Sequence, residues 1–238
     1  MAHAPGRGPH IRVGQVLEPG LWEDHDPFLF MAEDWFQQGT FDFHPHRGIE
    51  TVTFILDGRL KHEDNHGGHG VLEPGDVQWM TAGRGIIHSE DPLPGETVHS
   101  LQLWVNLPRA DKMAEPRYQD IRAAHAPVRR GQGALVRVFS GASAGTAAKT
   151  LNHVPVTYAE IVMEAGVTLT QDLPGSYNGF IYVLEGSGFF SGRRKRAESR
   201  GRCCGWALRA ELRRARSRYG RSSRCGLCLW QGSLCVNR

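Results

Sequence analysis

No stretch of the 238-residue sequence approaches 18 consecutive apolar residues, so nothing in it reads as a membrane-spanning helix. The opening stretch, MAHAPGRGPHIRVGQVLEPG, lacks an apolar core and does not read as a secretory signal. Helix-period apolar patterns are missing too, which turns the reading toward β-structure. Basic residues are scarce before residue 193, with 14 Lys/Arg against 23 Asp/Glu and a net charge of −9. Residues 193–238 reverse this, with 14 Lys/Arg against 2 Asp/Glu and a net charge of +12. They also hold all five cysteines: Cys203, Cys204, Cys225, Cys228 and Cys235. Two chemically different polypeptides meet near residue 192. The length suits one large domain or two small ones, each with a real core, and a cytosolic protein is the expectation.

Short β-branched and aromatic runs fill the first 192 residues. ETVTFILDGRLKHED reads as two strands around Asp57-Gly58, a strong hairpin signal because a type I′ turn needs positive φ. In VLEPGDVQWMTAG, Pro74-Gly75-Asp76 marks a second turn between short strands. VHSLQLWVNLP (98–108) and GALVRVFSG (133–141) are further strands, and closely spaced short strands suggest a sandwich or barrel. PRADKMAEPRYQDI (108–121) reads as an ordered connector or short helix. A weak internal repeat relates Phe54-Ile55-Leu56-Asp57-Gly58 to Tyr182-Val183-Leu184-Glu185-Gly186. Two related barrels or one recurring hairpin type account for it, and we favour the barrels.

FHPHRGIE (43–50) carries the chemistry. On an extended strand, His44 and His46 point to one face roughly 6.5 Å apart, and Pro45 between them favours extension. Glu50 shares their parity. GRGIIHSED holds a second pair at the same spacing, His88 and Glu90. A lone HxH is usually a surface or turn feature. Two strands that each offer two ligand-type side chains form a candidate divalent-metal site. His66 and His69 sit among glycines and read as exposed; His62 and Glu63 read as nearer the site. The remaining histidines have no partner spacing and read as structural.

These residues carry a resemblance. Gly39-x4-His44-x-His46-x3-Glu50-x7-Gly58 is close to the first cupin motif, and Gly75-x5-Thr81-x-Gly83 followed by His88 is a loosened second one. HPHRGIETVTFILDG, HED, PGDVQWMTAGRGIIHSE and LQLWVNLP resemble the pirin family in order and spacing, with looser similarity from about residue 10 to 192. The resemblance implies an all-β bicupin whose C-terminal barrel is incomplete. The expected domains are a metal-binding one over 1–125, a partial one without ligands over 126–192 and an irregular tail over 193–238. It also implies a metal held by His44, His46, His88 and Glu90, which moves Glu50 to a supporting role. Iron(II) is the expected metal, with nickel, copper, manganese and zinc as alternatives. In the second barrel Asp172 and Pro174 stand where the H-x-H would be.

The implied activity is that of pirin-type quercetinases, dioxygenases that cleave the central ring of flavonols with O2 and release carbon monoxide. Glu90 would then be the catalytic base. The alternative is a non-catalytic, redox-sensitive metal protein that acts through a protein partner, as eukaryotic pirins do in the nucleus. The acidic body suits a protein contact better than DNA. After Gly192 the family pattern stops, and the Arg- and Cys-rich text resembles a GC-rich gene read out of frame. A frameshift is the expectation, with unpaired sheet edges and poor solubility as its consequence. Cys225-x-x-Cys228 as a redox or zinc motif and the Arg run as a nucleic-acid or nuclear-import segment are the competing readings.

Overall fold

In the computed structural model the described residues are 4–5, 11–171 (except 18, 21 and 132), 177–190, and five short strand segments beyond them. The chain divides into two compact units, one built mainly from residues 2–125 with 152–154, the other from 126–151 and 155–234. Among the described residues no helix is long and apolar enough to cross a membrane; the one α-helix is the four-residue turn Trp22–His25.

The first unit contains β1 (Ala4–Pro5), β2 (Arg12–Leu17), β3 (Phe28–Phe36), β4 (Phe41–His46), β5 (Ile49–Asp57) and β6 (Leu60–Asp64). It continues with β7 (His69–Leu72), β8 (Val77–Thr81), β9 (Ile86–Pro92), β10 (Val98–Asn106) and β11 (Arg117–Ile121). Seven strands form one antiparallel sheet in the order β1-β2-β3-β10-β5-β8-β11, and four form a second in the order β4-β9-β6-β7. Phe36, Ile55 and Val98 from the large sheet pack on Leu60 and Leu72 from the small one, all nearly or fully buried. Each such side chain contributes about 1.5–3 kcal/mol on burial.

Alternation places the rest. Along β10, Leu101, Leu103 and Val105 are fully buried on one face. Ser100, Gln102 and Trp104 point to the other, where they meet Phe30, Ala32, Asp34 and Phe36 of β3 around a cavity of about 390 Å3.

Two turns differ from the hairpin reading. Ile49–Asp57 and Leu60–Asp64 do not pair with each other; Asp57-Gly58 carries the chain from the large sheet to the small one. Only Gly58 has positive φ there (75°), so the turn is not type I′. A Cβ at Gly58 would also collide with the Thr97 carbonyl oxygen. Pro74-Gly75-Asp76 crosses back, from β7 to β8, tied to β5 by hydrogen bonds of the Gly75 and Ile55 N–H groups. The connector over 108–121 is a 3-10 turn, Arg109–Asp111, followed by the edge strand β11 on β8.

In the second unit Ala134–Ser140 pairs with Val128–Gly131 and Tyr158–Met163 around a core that includes Val138, Ile161 and Val183. Much of the expected irregular tail lies outside the described residues. The part inside them consists of strands: Ala210–Arg214 pairs with Thr168–Gln171. Cys203–Gly205 and Leu227–Leu229 flank Phe180–Val183. Asp172 and Pro174 lie outside the described residues.

Candidate metal centre

Three imidazoles meet where β4 runs against β9. His44 stands directly across from His88 in antiparallel register, and His46 follows two residues on. Just before them, Phe41 pairs with Glu90, so three steps along β4 match two along β9. The extra residue is a bulge, which re-aims the side chains that follow it. Pro45 lacks an N–H, and β4 tolerates it as the outer strand of its sheet. Ring centroids are 4.4 Å apart for His44–His88, 5.0 Å for His44–His46 and 5.1 Å for His46–His88. One ligand nitrogen of each ring lies within 4.8 Å of the other two.

The proton positions follow from the neighbours. His44 Nδ1 lies 2.8 Å from the Asp42 carbonyl oxygen. A carbonyl only accepts, so Nδ1 donates and Nε2 keeps the lone pair. The Nε2 atoms of His46 and His88 are buried without a hydrogen-bond partner, a costly state for a polar atom. Burial, and then His44, lowers the His46 pKa to about 4. Burial, and then His44, His46 and His62, lowers that of His88 to about 2. Neutral rings with buried, unpartnered nitrogens fit a divalent transition metal.

Glu90 lines the same cavity as His44 and His46 but stands apart from the three-nitrogen cluster. Thr53 Oγ1 donates to its Oε1 and Gln102 Nε2 to its Oε2, each at 3.0 Å. Burial pushes the carboxyl above its ordinary range. Glu50, despite its parity, is not in the cluster. The chain changes sheets between His46 and Ile49, which cancels the strand count. Fully buried in β5, Glu50 accepts from Thr81 Oγ1 at 2.7 Å and from the His153 N–H at 3.4 Å.

A Pirin family model matches residues 14–105. A pirin-like protein of Solanum lycopersicum is 43% identical over 191 residues, which is 80% of this chain and 66% of that relative. The chain belongs to the pirin family. It spans just under two thirds of that relative's length. Among solved structures, GK1651 of Geobacillus kaustophilus is 50% identical, with a TM-score of 0.86 over 98% of this chain and 93% of that one. A quercetin 2,3-dioxygenase of Acinetobacter baumannii is 27% identical, with a TM-score of 0.80 over 98% of this chain and 84% of that one. This pirin is thus an all-β bicupin.

Four features of the pirin site have no counterpart in the motif spacing. Thr53 and Gln102 brace Glu90. Trp104 sets its ring edge-on to His46, 5.3 Å between centroids. Asp34 is buried in the cavity wall, its pKa raised to about 7 by burial and then by Glu90 and Glu33. An acidic pair inside the apolar run FLFMAEDWF is the signal that could have found it. His62 is fully buried beside His88, whereas His66 and His69 are exposed. His99 pairs with Glu33 and His153 with Asp111.

Proposed function

We propose that this pirin is a metal-dependent dioxygenase acting on a flavonol-like aromatic substrate with O2. His44, His46, His88 and Glu90 would hold one divalent ion, most fittingly iron(II), with nickel, copper, manganese or zinc as alternatives. The observation that carries the reading is the pair of buried, unpartnered Nε2 atoms beside a cavity walled by Phe30, Phe36, Phe41 and Trp104. When bound, the ion supplies Lewis-acid polarisation of a substrate hydroxyl and the electronic means to engage O2. The chain supplies the rest. Aromatic walls favour a flat ring system and exclude water. Glu90, kept basic by its raised pKa, takes the hydroxyl proton. Thr53 and Gln102 keep its two oxygens aimed.

The test is oxygen uptake with quercetin by metal-loaded protein. Wild type consumes O2 and flavonol together, and His44→Ala does not; equal rates in both refute the reading. A second reading, a redox-sensitive regulator working through a protein partner, draws support from the surface behind the site. Phe43 and Ile87, on β4 and β9, are 58% and 44% exposed, which suits an apolar contact. No turnover on any flavonol, together with partner binding in one oxidation state only, would favour this regulator.

A further inference from the structure

His62 belongs to no motif-one or motif-two position, yet it is completely buried against a histidine of the cluster. It stands on β6 two residues from Asp64, on the same face, and Asp64 lies directly across from His88 in the β6–β9 register. His62 Nε2 is 3.2 Å from Asp64 Oδ2, and His62 Nδ1 is 3.4 Å from His88 Nδ1. The side chains of His62 and Asp64 are 0% and 2% exposed. Asp64 is itself fixed: its Oδ1 accepts the backbone N–H groups of His66 at 2.8 Å and Gly68 at 2.9 Å. Burial raises its pKa, but those N–H groups and the His62 ring outweigh it, so the net shift is downward.

We propose that Asp64 and His62 are positioning residues that set the tautomer of His88, a one-way hydrogen-bond series that keeps the His88 proton on Nδ1 and frees Nε2. The direction follows from donor and acceptor chemistry. An anionic carboxylate only accepts, so His62 Nε2 must donate to Asp64. A neutral imidazole has one N–H, so His62 Nδ1 is then a lone pair. The contact to His88 needs a proton, which His88 Nδ1 provides. Its Nε2 is left as the lone pair, and this is the buried atom that lacks a partner. Carboxylate–histidine contacts of this kind orient metal ligands and raise their basicity; here the same device acts through a second imidazole. The tautomer assignment belongs to the chain alone, and only its effect on metal affinity rests on the reading proposed above.

Asp64→Asn separates direction from shape. Its carbonyl oxygen still accepts from His66 and Gly68, but an NH2 group now faces His62. His62 Nε2 must become the acceptor, its Nδ1 must donate, and the His88 proton must move to Nε2. Long-range 1H–15N correlation spectra of the metal-free full chain report the tautomer directly. We expect His88 protonated on Nδ1 in wild type and on Nε2 in Asp64→Asn. Zn(II) affinity, measured by competition with a chromophoric chelator, should fall about 10–100-fold. His62→Phe, which keeps the ring volume but severs the series, should lose the tautomer preference and a similar part of the affinity. A wild-type His88 protonated on Nε2, or the same tautomer and Zn(II) affinity in all three proteins, overturns the proposal. If wild type binds no metal, the metal-site reading fails, and the tautomer spectra decide the series by themselves.

Discussion

Two buried carboxyl groups that the same strand pattern makes look alike behave differently once their neighbours are counted. Glu90 faces the cavity and is braced by Thr53 and Gln102, whereas Glu50 is tied to Thr81 and the His153 backbone. Glu90→Gln should lower metal affinity by more than about tenfold and abolish turnover. Glu50→Gln should leave metal content unchanged and cost about 1–3 kcal/mol of stability, the penalty for disturbing a buried hydrogen bond. Elemental analysis and chemical denaturation, run on both variants, check the pair. Asp34 titrates against folding. Its carboxyl is raised to about 7, so between about pH 4 and 7 the native state binds more protons than the unfolded chain. Stability therefore falls as pH rises through that window and stays reduced above it. Asp34→Asn should remove this falling limb in the metal-free protein. The gain is at most about 4 kcal/mol at pH 8, with little difference near pH 4; parallel denaturation curves at both pH values would refute it. His44, His46 and His88 were legible because H-x-H and H-x-E keep strand parity. Asp34 and Gln102 were not, since a polar residue in an apolar strand does not say which face it takes.

Strands were easier to read from sequence than the connections between them. The β-branched runs over 49–57, 77–81 and 98–106 are all strands, because their apolar residues fit a pleated, buried surface. The turns were placed correctly, but their job was not: Asp57-Gly58 and Pro74-Gly75-Asp76 pass the chain between sheets. Hairpin and corner need the same turn residues, and only long-range pairing distinguishes them. The bulge before His44 escaped for the same reason, being a property of β4 and β9 jointly. Gly58 is where the corner can be tested. At φ 75° and against the Thr97 carbonyl, any side chain is strained and must displace backbone. Gly58→Ala should cost roughly 1–3 kcal/mol, read as a lower midpoint in urea. If the connection tolerated alanine without loss, the close approach of Gly58 to β10 would not hold.

Over the whole molecule, the internal repeat and the charge split lead to opposite expectations for the C-terminal unit. Gly58 and Gly186 close the two matched pentapeptides, and both have positive φ, 75° and 88°, as two copies of one barrel corner would. The strand before the second glycine, Phe180–Val183, is buried throughout, like the middle of β5. Its ladder neighbours on both sides come from the basic tail: Cys203–Gly205 and Leu227–Leu229. An out-of-frame tail should be dispensable; a tail that fills two ladders should not. Truncation after Gly192 discriminates. If the pairing holds, truncation leaves the Phe180–Val183 backbone unpaired on both edges, a template for aggregation. Amide exchange at residues 180–183 should then speed up by orders of magnitude, as local opening no longer breaks a ladder, and light scattering should show growing particles. Removing a net +12 of charge also leaves an acidic chain that repels its own copies. Aggregation of the truncated protein in spite of that repulsion would point to lost strand pairing and not to charge. Unchanged exchange and a monodisperse truncated chain would instead show that the tail contributes no strands to the second barrel.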